Sequence, residues 1–79
     1  MFINKAADGT NNICGKNVAL FRKKAGISQR QLADTLQLAG LDVDKNAIQR
    51  IESGKRFVTD IELTYLAKVL HISVDALIE

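Results

Sequence analysis

The residues best placed to recognise another molecule are Lys45, Asn46, Gln49 and Arg50, four long or amide-bearing donors within six positions. At roughly 100° per residue they fall on one side of a helix, opposite Ala47, Ile48 and Ile51. That side holds no carboxylate, whereas a merely solvated face usually mixes both signs. Base edges in duplex DNA accept such a set: a guanidinium or ammonium on guanine, a carboxamide on adenine. Other chemistries fail quickly. One histidine and one cysteine cannot furnish a usual zinc site. His71, Ser73 and Asp75 are close in sequence, but a triad is a spatial arrangement with an oriented base. The simpler reading makes His71 the close of one helix and Ser73 the cap of the next. No glycine-rich loop follows a strand, so no phosphate cradle is indicated. No catalytic residue, metal ligand or cofactor is expected, and the chain is not read as an enzyme.

A helix bearing Lys45 to Arg50 needs neighbours to hold it. Residues 1–12 are polar and contain glycine and asparagine, the composition of a flexible amino-terminal arm. A first helix is expected over Ile13–Ala25, where Cys14, Val18, Phe21 and Ala25 share one face. Arg22, Lys23 and Lys24 suit its negative end, and Gly26 closes it. A second helix opens at Ser28, whose spacing to Gln31 fits a capping box. Leu32, Ala33, Leu36 and Ala39 point inward, and Gly40 ends it. Leu41–Asp44 is the connector, with Val43 expected to tuck into the interior, Asp44 capping the third helix and Gly54 ending it. Thr59 and Glu62 form a second capping box for a fourth helix with Leu63, Leu66, Ala67 and Leu70 inward, and Ile61 packed as well. Ser73 caps a short fifth helix with Asp75 in its first turn. The fold class is all-α, five short helices in one domain over 13–79.

Seventy-nine residues bury about 60% of their unfolded surface, enough for a modest core without metal or disulfides. A lone cysteine, Cys14, excludes an internal disulfide framework and fits a reducing compartment. The start lacks the basic and apolar regions of a signal peptide, and no apolar run approaches a membrane span. A cytoplasmic protein without membrane attachment is the expectation. Net charge is only +2, but its distribution is uneven. Ile13 to Arg56 carries nine Lys/Arg against four carboxylates, and Phe57 to Glu79 one lysine against four. A basic portion beside an acidic end is consistent with a nucleic-acid face.

The second and third helices together have helix-turn-helix logic. The amino end of the second can offer amides and Gln29 to a phosphate, and the third can lie in the major groove. Lys55 and Arg56, just past its end, are placed to grip the backbone. With these residues in view, "ISQRQLADTL", "AIQRIESGKR" and "LAKVLHISVDALI" resemble the phage-repressor/Cro family of helix-turn-helix proteins over about Cys14 to Ile78. The resemblance implies a compact five-helix, lambda-repressor-like domain that binds two-fold-symmetric operators as a dimer. It implies base-reading roles for Lys45, Asn46, Gln49 and Arg50. Gln29 matches a glutamine that touches phosphate and braces the recognition helix; Ser53, Lys55 and Arg56 match the backbone-gripping loop. Arg22 and Glu52 match a structural ion pair. One departure stands out: "QLAGLDVD" makes the connector about five residues longer than is usual, through either an extra turn of the second helix or a bulge.

Two readings remain at this level. The first is a sequence-specific transcriptional regulator, most often a repressor in this family, whose partner is double-stranded operator DNA. The second is a protein-interaction module on the same fold, such as an antitoxin or anti-regulator, motivated by Leu38, Leu41 and the acidic fifth helix. Ile72, Val74, Leu77 and Ile78 are expected to supply surplus apolar area for a homodimer through the fifth helix.

Overall fold

Four of the five helices begin on a side-chain oxygen. In the computed structural model, which describes residues 5–79, these are α2 (Gln29–Ala39), α3 (Lys45–Glu52), α4 (Asp60–Leu70) and α5 (Val74–Ile78). Ser28, Asp44, Thr59 and Ser73 accept from the amides of Gln31, Ala47, Glu62 and Ala76 at 2.8–3.2 Å. Gln31 and Glu62 return the bond to the Ser28 and Thr59 amides, completing both capping boxes. Each such cap satisfies an amide that the helix cannot, worth about 1 kcal/mol.

The remaining helix, α1 (Gly15–Lys24), is capped from further away. Its preceding residue, Cys14, makes no side-chain cap; Asn12 Oδ1 accepts from Gly15 N at 2.8 Å. The helix is therefore shorter than Ile13–Ala25 at both ends, and Ile13 is left 61% exposed. At the other end Ala25 is the C-cap and exposed, so the expected stripe stops at Phe21.

The core is one cluster. Val18 from α1, Leu32, Ala33 and Leu36 from α2, Ile48 and Ile51 from α3, Leu66, Ala67 and Leu70 from α4 and Leu77 from α5 all meet in it, with Cys14 and Val43. Each fully buried aliphatic side chain contributes roughly 1.5–3 kcal/mol. Three further residues differ from expectation. Ile61 is exposed because, two positions before Leu63, it lies on the far side of α4. Ala39 is exposed because α2 has run past the core by its last turn. Leu77 is buried completely, so it belongs to the core rather than to a surplus surface on α5.

The longer connector takes the first of its two alternatives. α2 continues to Ala39, and Gly40 closes it in the left-handed region at φ 111°. The Leu41 amide then bonds back to Leu36 O and the Gly40 amide to Gln37 O, which satisfies carbonyls at the helix end. Helix α4 ends the same way on His71, at φ 58°, a conformation that costs a non-glycine residue roughly 1 kcal/mol. His71 is thus a helix terminator and Ser73 a cap, which accounts for "HISVD" without chemistry.

The expected arm is, over residues 6–12, a turn tied to the segment after α3. Asn11 N donates to Gly54 O at 2.7 Å, and the Asn11 carboxamide to Lys55 O at 2.9 Å. Asn12 Nδ2 reaches both Ile51 O and Arg56 O. Met1–Asn4, the rest of that arm, lie outside the described residues.

Candidate nucleic-acid interface

Helix α3 divides cleanly. Ile48 and Ile51 are buried and Ala47 half-buried, while Lys45, Asn46, Gln49 and Arg50 are exposed. None of those four side chains bonds or pairs with another described residue. The neighbouring carboxylate, Asp44, is occupied by the Ala47 amide. What remains is a row of donors, unpartnered among the described residues, that runs from Lys45 and Asn46 at the positive end of the helix to Arg50 in its last turn.

Both neighbouring helices hold the carboxyl end of α3. Arg22 of α1 lays its guanidinium on Glu52, Nε–Oε2 at 2.7 Å and Nη2–Oε1 at 3.1 Å, and gives Nη1 to Ile27 O. Glu52 raises the Arg22 pKa further, so this charge is permanent. Gln29 of α2 donates Nε2 to the same carboxylate at 3.0 Å. The side chains of the pair are 11% and 9% exposed, nearly dry, so losing one partner would strand the other. Gln29 also stands at the start of α2, where the first-turn amides not taken by Ser28 face outward.

The segment after α3 is fixed by backbone bonds. The Lys55 and Arg56 amides both return to Arg50 O, and Ser53 Oγ donates there as well. Gly54 sits at φ 78° with Thr10 so close that a Cβ would strike its methyl. Lys55 is exposed with no side-chain partner among the described residues. Arg56 differs from the expectation. Its guanidinium lies on Glu62, Nη2–Oε2 at 2.8 Å and Nη1–Oε1 at 3.0 Å, and also donates to Phe57 O. Glu62 raises the Arg56 pKa, and Arg56 in turn lowers that of Glu62. A fork already bound to a carboxylate is not a free phosphate donor; Arg56 joins the loop to α4.

Two residues at this site were not legible beforehand. Asn12 joins the start of α1, the end of α3 and the following loop, yet in sequence it is one more polar residue of an arm. Gly15 is buried, and a Cβ there would fall against the Ile51 carbonyl oxygen. Nothing local marks that close approach. Cys14 is buried, and desolvation pushes its thiol pKa up, away from reactivity.

With α2 and α3 set this way, the match to known families is decisive: the helix-turn-helix profile covers residues 18–77. The chain belongs to the helix-turn-helix family, of the phage-repressor/Cro type. Among solved structures, the restriction-modification controller protein C.AhdI from Aeromonas hydrophila shares the fold with a TM-score of 0.71. The two are 26% identical, over 81% of this chain and 86% of that one. No curated protein matches the chain. Among the described residues there is no cluster of His, Cys, Asp or Glu that could hold a metal ion, and no helix long and apolar enough to cross a membrane.

Proposed function

We propose that this helix-turn-helix protein binds double-stranded DNA by sequence and regulates transcription by occupying an operator, in the usual manner of a repressor. The observation that carries the reading is the outer face of α3: four donors unpaired among the described residues, on a helix whose carboxyl end is held by Arg22 and Gln29. Such a helix enters the major groove amino end first, with Lys45 and Asn46 leading and Gln49 and Arg50 one turn behind. The α2 amides with the second Nε2 hydrogen of Gln29 take phosphate on one side, and Lys55 takes it on the other, joined by Ser53 once its hydroxyl turns from Arg50 O; together they set the register. Arg56 shapes that second contact through Glu62. The mechanism needs no bond chemistry, only occupancy. Likeness to a restriction-modification controller protein supports a regulatory role, and a cytoplasmic location is part of this reading.

Pairing through α5 would double the site and set half-sites about 34 Å apart. With Leu77 in the core, the apolar residues left for it are Ile72, Val74 and Ile78, of which Ile78 is 43% exposed. A mass that stays monomeric at all concentrations, with and without DNA, counts against pairing. The second reading, a module whose partner is a protein, draws on Leu38, 90% exposed at the end of α2. Selection of bound duplexes from a random library separates the two. Enrichment of a shared motif supports the DNA reading. No retention of any duplex at low salt, together with co-purification of a protein, replaces it with the second.

A further inference from the structure

The two ends of α3 are held unequally by charge but alike by carboxamides. At the carboxyl end Gln29 donates to Glu52, alongside Arg22. At the amino end Gln37, eight residues further along α2, donates Nε2 to Val43 O at 2.7 Å. Val43 is buried at the end of the connector and Asp44 follows it as the cap of α3. Val43 and Leu41 also pack on the core, but among the described residues the connector's other hydrogen bonds run to its own neighbours: Leu41 N to Leu36 O, Gly40 N to Gln37 O and Val43 N to Leu41 O. Gln37 is thus the side-chain hydrogen bond by which α2 holds the entry to α3.

From this juxtaposition we infer that Gln37 is a positioning residue for base recognition, the amino-end counterpart of Gln29, made necessary by the extra turn of α2. The inference rests on the DNA-binding reading given above. Its physical basis is leverage. An eight-residue helix is about 12 Å long, so a swing of about 5° about the Glu52 end moves Lys45 by about 1 Å. Hydrogen bonds to base edges tolerate only a few tenths of an ångström, so such a swing forfeits them. Contacts to phosphates, made by flexible lysine and by amides on other elements, tolerate it. Gln37 therefore sets sequence preference while touching no base.

Gln37→Met keeps the side-chain length and removes the donor without adding charge; Gln37→Ala removes the side chain. With the duplex selected from a random library as probe, both weaken its binding roughly tenfold, about the worth of one hydrogen bond. Binding of a random duplex changes by less than about twofold, because its contacts are phosphates. Amide exchange at Ala47 and Ile48 quickens in both variants without DNA, while Leu66 in α4 is unchanged. Unaltered preference for the selected duplex in both variants overturns the inference. So does equal loss on selected and random duplexes, which would mark a general loss of folded protein. If the native protein selects no duplex, the DNA reading fails, and the exchange measurement alone decides: unchanged exchange at Ala47 and Ile48 overturns the role of Gln37, and faster exchange retains it as the holder of α3.

Discussion

The outer face of α3 and the loop that follows it are both rich in basic and amide side chains, yet the structure treats them oppositely. On the face, Lys45, Asn46, Gln49 and Arg50 are exposed and unpartnered among the described residues. In the loop, Ser53 and the Lys55 and Arg56 amides return to Arg50 O, Asn11 and Asn12 hold the backbone from the other side, and Arg56 is paired with Glu62. Residue type does not separate the proposed reader from the frame; partners do. The frame fixes geometry, and the face keeps donors that solvent alone occupies, free for the proposed contact with DNA. Changes to the frame should therefore lower stability, and changes to the face should alter binding of a protein that still folds.

The strongest test of the frame is Gly15→Ala. The added methyl meets the Ile51 carbonyl, so the junction of α1 and α3 must open, at about 3 kcal/mol or more by thermal or denaturant unfolding. A neutral result there would mean that the two helices are not so closely joined. Next comes Glu52→Ala, which leaves Arg22 and Gln29 without their acceptor. It is expected to cost about 2–3 kcal/mol, less than a fully buried charge because the pair keeps some water. If Glu52→Ala alters sequence preference but not stability, the division between face and frame is drawn in the wrong place.

On the face, Arg50→Ala should leave the melting temperature unchanged and reduce affinity for the selected duplex by about 1–3 kcal/mol, mainly by relaxing one base pair. Equal losses on selected and random DNA would refute a base-reading role. The smaller effects sharpen the fate of the loop. Glu62, held below the ordinary carboxylate range chiefly by the Arg56 guanidinium, has a depressed folded pKa. Its contribution is therefore complete above the ordinary value, about 4.3, and is lost as pH falls through the lower folded value. The stability difference between native protein and Glu62→Gln should be about 1 kcal/mol near neutrality and should shrink below about pH 4. Smallest of all, Lys55→Ala should reduce the salt slope of DNA binding by about one charge for every sequence, and Arg56→Ala by much less.

Much of this was readable from particular residues. Ser28, Asp44, Thr59 and Ser73 cap where spacing places them, because a cap bonds an amide two or three residues away. Leu32, Leu36, Ile48 and Ile51 lie inside because helical period alone decides which side they occupy. The exposure of Lys45, Asn46, Gln49 and Arg50 follows from the same period. The misplacements have two causes. Ile61 was judged by apolarity against a period that sets it opposite Leu63, and the burial of Ala39 and Leu77 depends on where a second helix passes, so neither apolarity nor period suffices alone.

The sequence by itself determined the five helices, the caps of α2 to α5 and the side of α3 that faces outward, since all of these are set within one or two turns of chain. Only the tertiary structure decided the partners: Arg56 on Glu62, Gln37 on Val43, and Asn12 on carbonyls 39 and 44 residues away. A long polar side chain reaches several ångströms in any direction its rotamers allow. Its own neighbours in sequence do not specify where it ends. That is fixed when packing of the apolar stripes brings a distant acceptor within reach.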